Sequence, residues 1–291
     1  MTWNESTPSS AGEATSTRPL MLLAVFAHPD DETFRCGGTL ALLARRGVRV
    51  QTLTATRGEA GSRGDPPLCH AEELGAVREQ ELGCACSALG VAPPILLDYS
   101  DGELAEVDEE EAVAQVMATI RELRPQVLLT WPPDGLSGHP DHVAVSRWTT
   151  LAFERADTLG PDASVALYHL AVPRSVANAL GLAHLHAIPD AEITLTVDVT
   201  PVWEQKWAAI RCHRTQADGS PILAAPEEKR RLFLDKEHFR RARAQEGDDF
   251  LCRLSPSLED VFLEITGQQV GTVRHETPDD KSKRWMRGGG R

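Results

Sequence analysis

The sequence predicts an α/β fold: a Rossmann-like, doubly wound and mostly parallel sheet, covered by helices in three layers. Three observations carry this. Residues 20–27 (LMLLAVFA) form an unbroken apolar run, the pattern of a strand buried on both faces. Strand-like and helix-like periodicities then alternate as far as residue 170. Finally, two short clusters, His28-Pro29-Asp30-Asp31-Glu32 and His139-Pro140-Asp141-His142, each follow a predicted strand. That is where open α/β sheets place their ligands.

After the first strand, residues 37–46 read as a helix, with Leu40, Leu43 and Ala44 on one face and Gly47 as its stop. Residues 48–54 are rich in β-branched side chains and form the second strand. A loop dense in glycine, proline and charge spans 56–68. A long amphipathic helix covers 71–89, a short third strand 95–97, and a further helix 109–123, closed by Arg124-Pro125. The fourth strand is 127–130, the helix behind it 140–155, and the fifth strand 165–170. Beyond 171 the pattern weakens. Residues 193–199 read as a strand, 202–211 as a helix, 221–225 as a loop, and 227–245 as a charged helix that mostly faces solvent.

Such alternation implies parallel neighbours joined by crossover helices. In the common order 3-2-1-4-5-6, strands one and four are adjacent at the switch point, and their carboxyl ends bring the two histidine clusters together. Residues 1–19 read as a flexible Ser/Thr/Ala-rich leader and 271–291 as a disordered tail. Between them, 20–270 reads as a single domain, with its core in 20–170 and a C-terminal elaboration in 171–270.

Composition narrows the function classes. A net charge of −13 argues against nucleic acid and anionic membranes, which select basic patches. No apolar run approaches the roughly 18 residues of a membrane span, and the leader lacks the apolar stretch of an export signal. Cys36, Cys69, Cys84, Cys86, Cys212 and Cys252 show no framework spacing, so reduced thiols in a cytoplasmic protein are expected, with no catalytic role for any of them. A small-molecule substrate fits this frame, and so does a homo-oligomer.

The two clusters hold the ingredients of a catalytic zinc site, where three protein ligands leave a fourth position for water. His28 and Asp31, three residues apart across a turn stiffened by Pro29, can point at one centre. His142, in the first turn of its helix, completes the set. Asp30 is then a spare carboxylate beside the metal, suited to accept a proton from water. His139 is a spare imidazole, with Asp141 as the carboxylate expected to orient it. Either cluster alone would read as helix capping at a surface loop. Two of them, each behind a buried strand, favour a metal.

These residues also carry a resemblance. Ala27-His28-Pro29-Asp30-Asp31-Glu32, Thr56-Arg57-Gly58-Glu59-Ala60-Gly61, Arg78-Glu79 and Gly138-His139-Pro140-Asp141-His142 resemble the LmbE-like (PIG-L) zinc deacetylases. The likeness extends to Lys206-Trp207-Ala208-Ala209-Ile210 and His213-Arg214-Thr215-Gln216. It implies one zinc per chain on His28, Asp31 and His142, Asp30 as general base, and His139 as the acid or electrostatic group. It also implies removal of the acetyl group from an N-acetylglucosamine unit or its conjugate. One departure stands out: Ser137 occupies a position where some members place a tyrosine that supports the oxyanion, and a serine hydroxyl is too short to copy a phenol.

Arg57, Glu59, Arg78, Asp101 and Ser137 are the expected substrate-binding residues, with Arg78 bracing Glu59. Arg63 and Asp98 rank below them, and His169, His184, His186 and His213 are lid or specificity candidates. Two other functions compete. One is an amidase cleaving a larger acyl or thiol conjugate. The other is a non-catalytic sugar- or nucleotide-binding module, disfavoured because the first turn holds the metal motif and no G-x-G-x-x-G.

Overall fold

The computed structural model describes residues 20–156, 166–217 and 220–244. The expected leader, the tail and the domain boundary at 270 lie outside the described residues. In chain order the strands are β1 (Met21–Phe26), β2 (Arg49–Thr56), β3 (Ile95–Tyr99), β4 (Val127–Thr130), β5 (Ala166–Ala171), β6 (Leu195–Asp198) and β7 (Lys236–Ala244). The helices are α1 (Asp31–Phe34), α2 (Gly37–Arg45), α3 (Leu74–Leu89), α4 (Glu109–Leu123), α5 (Pro140–Ala156), α6 (Arg174–Leu180), α7 (Trp203–Cys212), α8 (Arg214–Ala217), α9 (Pro221–Ala224) and α10 (Glu227–Leu234). Among the described residues no helix is long and apolar enough to cross a membrane.

The described strands form one sheet in the order β3-β2-β1-β4-β5-β7-β6. Strands β1 to β5 run parallel, as the strand–helix alternation requires, and β1 pairs with both β2 and β4. Leu23, Val25 and Ala27 pack with α4 and α5 through Val113, Val116, Val145 and Trp148. Because side chains alternate along a strand, the equally buried Leu22, Ala24 and Phe26 face the other side. There α2, α3 and α7 pack against one another. The apolar run of β1 is thus the strand buried on both faces that its composition predicts.

The far edge departs from expectation. The charged run 227–245 is not one helix: it splits into α10 and β7, and β7 inserts antiparallel between β5 and β6. The physical reason is a buried partner. Glu237 and Phe239 are fully buried, and Glu237 Oε1 lies 2.8 Å from Lys206 Nζ on α7. The same carboxylate accepts from the backbone N–H of Gly38 and Thr39, so it caps the amino end of α2, where negative charge is favoured. Residues 221–224 also differ, forming one helical turn where a loop is expected.

The cysteines need a correction as well. Cys84 and Cys212 form a disulfide, where reduced thiols are expected. Packing of α3 on α7 brings the two Cα atoms to 5.7 Å across 128 residues of sequence, a proximity that spacing cannot reveal. Cys36 and Cys86 are buried free thiols.

Candidate metal centre and active site

The first cluster forms a tight turn between β1 and α1. Asp30 has φ 113°, a left-handed conformation that side chains rarely adopt and that costs about 1–3 kcal/mol unless its surroundings over-determine it. They do. Its N–H donates to Glu32 Oε2 at 3.0 Å, and its carbonyl accepts from the N–H and the hydroxyl of Thr33. Buried Arg78 donates to the carbonyls of Pro29 and Gly58, and its guanidinium lies 3.6 Å from Asp30 Oδ2. Gly58 has φ +70°, and a Cβ there would fall 2.2 Å from Arg78 Nη1, so this position requires glycine.

Three candidate ligand atoms converge. His28 Nδ1 and His142 Nε2 are 3.3 Å apart, and Asp31 Oδ1 is 3.6 Å from His142 Nε2. Two ligands on a tetrahedral zinc, each at its usual bond length, are separated by about 3.4 Å, so the spacing fits. Hydrogen bonds orient each ligand. Asp31 Oδ2 accepts from the N–H groups of Ala27 and His28 and from Trp131 Nε1. His142 donates Nδ1–H to the carbonyl of Gly135 and stacks on Trp131, with ring centroids 4.0 Å apart. Nε2–H of His28 faces Asp101 Oδ1 at 3.0 Å and Asp141 Oδ2 at 3.1 Å. Carboxylates and carbonyls only accept, so each imidazole keeps its lone pair for the centre.

The electrostatics agree. Burial works against a charged His28, but hydrogen bonds to Asp101 and Asp141 and the neighbouring Asp31 outweigh it and push its pKa up to about 10. The surroundings therefore ask for one positive charge at this point, which a divalent metal supplies in place of a proton. Burial also pushes His142 down, keeping it neutral as a ligand must be. Burial and then Asp31 push Asp30 well above the usual carboxylate range, with Arg78 opposing. A second group, His28, His139 and Asp141, also lies close enough to share an ion. Its Asp141 oxygens already accept from His28, Gly102 N–H and Leu104 N–H, which favours the first group.

Three residues make contacts other than those expected. Asp141 does not turn its carboxylate to His139; fully buried at the start of α5, it holds His28 instead. Its backbone N–H is what donates to His139 Nδ1, at 3.2 Å, and the exposed His139 ring stacks on His142. Arg78 braces the Asp30 turn and not Glu59, whose carboxylate accepts from the N–H of Asp101. Asp101, expected at substrate, contacts His28 and accepts from the N–H of Ala60. Arg57 is engaged by Glu79 and Asp98, and Ser137 is exposed in the loop before α5.

Glu32, His213 and Trp131 are the residues that sequence reasoning undervalues. Glu32 is fully buried and joins the Asp30 N–H to His213 Nε2, the latter at 2.7 Å. Thr215 hydrogen-bonds Glu81 twice, and Gln216 donates to the carbonyl of Ser62, so residues 213–216 tie α3 and the 56–68 loop to the turn. The nearness of these residues to the quoted motifs was the available signal.

Known proteins resemble this chain in sequence and in fold. Residues 23–153 match the family model described as PIG-L, GlcNAc-PI de-N-acetylase. The chain is 34% identical to a 1D-myo-inositol 2-acetamido-2-deoxy-alpha-D-glucopyranoside deacetylase of Rhodococcus opacus, over 78% of this chain and 93% of the relative. The crystal structure of the conserved protein TT1542 from Thermus thermophilus is similar at a TM-score of 0.58 and 28% identity, covering 79% of this chain and 98% of that one. The N,N'-diacetylchitobiose deacetylase of Pyrococcus horikoshii shares the fold at a TM-score of 0.56 and 21% identity, over 77% and 84% of the two chains.

Proposed function

The chain belongs to the PIG-L family, and from that premise we propose that it is a zinc-dependent hydrolase removing the N-acetyl group from a small N-acetylglucosamine conjugate. By likeness to the Rhodococcus relative, an N-acetylglucosaminyl cyclitol is the first substrate to test. The observation that carries this reading is the convergence of His28 Nδ1, Asp31 Oδ1 and His142 Nε2 beside a spare carboxylate and a spare imidazole.

His28, Asp31 and His142 hold one zinc per chain, which when bound supplies Lewis acidity toward a carbonyl oxygen and acidifies water. Asp30 takes the proton of the attacking water. The protonated Asp30 then gives that proton to the leaving amine, so one carboxyl group serves as base and then as acid. His139 accepts the Asp141 N–H at Nδ1, so the neutral ring carries its proton on Nε2, an N–H donor suited to hydrogen-bond the negative charge that develops on the carbonyl oxygen. Arg78, Glu32 and His213 hold the strained turn and act through Asp30 and Asp31.

The test is amine release from the N-acetylglucosaminyl cyclitol by zinc-loaded protein. Turnover that vanishes with a chelator and returns with zinc supports the reading. Absence of amine release from this and from simpler N-acetylglucosaminides would refute it.

A further inference from the structure

Helix α3 carries the groups that hold the metal-site turn. Its Arg78 donates to the carbonyls of Pro29 and Gly58. One turn further on, Glu81 accepts from the N–H and the hydroxyl of Thr215, at 2.8 and 2.6 Å. A turn beyond that, Cys84 is bonded to Cys212, the last residue of α7. Side chains three apart are neighbours on a helix surface, so Arg78, Glu81 and Cys84 form one row leading away from the site. The short stretch from Cys212 to Thr215 is therefore pinned to α3 at both ends, by a covalent bond and by a carboxylate.

His213 lies between these two pins. It is fully buried, its Nε2 is 2.7 Å from Glu32 Oε1, and its Nδ1 has no hydrogen-bond partner. One hydrogen bond and the position of its backbone thus fix the ring. Glu32 in turn accepts the N–H of Asp30, the proposed base, which is held at φ 113°. A displacement of residue 213 is passed along this line to Asp30. The covalent pin is also within reach of solvent: Cys84 is exposed and Cys212 half-buried, whereas the free thiols of Cys36 and Cys86 are buried. Exchange depends on access, and exposed disulfides are the labile ones.

We propose that the Cys84–Cys212 bond is an exchange site for small thiols, and that its opening slows the enzyme by releasing the His213–Glu32 support of the Asp30 turn. A thiolate attacks Sγ of the exposed Cys84 and forms a mixed disulfide. The electron pair of the broken bond leaves on Sγ of Cys212, which takes up a proton. A second thiol attacks the mixed disulfide and frees Cys84. Two small thiols are thereby oxidised to one disulfide, and the protein bond is reduced to two thiols. None of the proposed metal ligands lies on α3 or α7, so zinc is kept. The loss of turnover rests on the deacetylase reading; the exchange and the movement of His213 do not.

The zinc-loaded full chain is equilibrated in buffers of reduced and oxidised glutathione, and alkylation with mass spectrometry gives the state of the bond. It should open and close reversibly. On opening, the ring-nitrogen NMR signal of His213 should shift while zinc content stays constant. The kcat for amine release should fall by about threefold or more with KM little changed, short of the roughly 10²-fold that a misplacement of about 1 Å can cost. The Cys84→Ser, Cys212→Ser double variant keeps the other cysteines; it should be as slow as the opened wild type and indifferent to glutathione. Thr215→Val removes the second pin and should deepen the loss on opening, so it tests the same coupling if the serine variants do not fold. A bond that glutathione leaves closed, an unmoved His213 signal in the opened protein, or equal and measurable turnover in both states would overturn the proposal. A His213 shift on opening, in a protein that releases no amine in either state, sinks the deacetylase reading and leaves the exchange site and its coupling to the turn standing.

Discussion

Replacing Asp141 with asparagine isolates the charge behind His28, the first of the proposed metal ligands. Asp141 Oδ2 lies 3.1 Å from His28 Nε2, and both its oxygens also accept backbone N–H groups, from Gly102 at 2.8 Å and Leu104 at 3.2 Å. Loss of a carboxylate partner behind a metal-ligating histidine typically costs 10–100-fold in affinity, or about 1.4–2.7 kcal/mol. Asp101 still holds the same nitrogen at 3.0 Å, so the single Asp141→Asn variant belongs at the lower end, about tenfold. The Asp101→Asn, Asp141→Asn double variant should lose more than the two single effects combined, because each carboxylate compensates for the other. Asparagine has only one acceptor oxygen, so one of the two backbone donors loses its partner and global stability falls by about 1–3 kcal/mol. Competition with a chromophoric chelator gives the zinc affinity, and urea unfolding gives the stability. Wild-type zinc affinity in both single and double variants would refute this reasoning. A drop in kcat alone would return Asp141 to a role through His139.

Four further outcomes are expected. His28→Ala, Asp31→Ala and His142→Ala should each lose zinc, measured as metal content after dialysis, whereas Asp30→Asn should keep zinc and lower turnover by about 10² or more. Zinc loss in Asp30→Asn with retention in Asp31→Asn would mean that the two carboxylates exchange roles. Lys206→Met leaves the buried carboxylate of Glu237 without its counter-ion, so denaturant unfolding should show a loss of about 3–5 kcal/mol. Opening the Cys84–Cys212 bond by Cys212→Ser should cost about 2–4 kcal/mol in the same assay; an unchanged unfolding midpoint would show that the link does not constrain the unfolded chain. His238 is pushed down to about 4 by burial and then by Arg35 and Lys236. Its unfolded value is near 6.5, so the unfolded state takes the proton first and stability falls as pH drops from 6.5 toward 4; His238→Gln should flatten that part of a Tm-against-pH profile.

Local pattern carried much of the molecule. The apolar run of β1, the β-branched run of β2, the periodicity of α4 and the Pro140 start of α5 are properties of short segments, and each element forms close to where its pattern lies. The three proposed metal ligands were legible for the same reason, since two clusters behind adjacent parallel strands meet wherever the sheet is doubly wound. What lay beyond such reading was every contact between distant segments. Asp141 and Asp101 both turn to His28, and nothing in their spacing distinguishes that from a contact with His139 or with substrate.

The far edge of the sheet shows the same divide. A run of Lys, Glu, His and Arg reads as a solvated helix while its partners are unknown. It becomes the interior strand β7 because Lys206, some thirty residues earlier in the chain, offsets the charge of Glu237 in a space closed to water. Local sequence determines which backbone conformation a segment prefers and which side chains are available for chemistry. Burial, charge pairing and proton placement depend on what the rest of the chain brings alongside, and those energies exist only once the tertiary structure has formed.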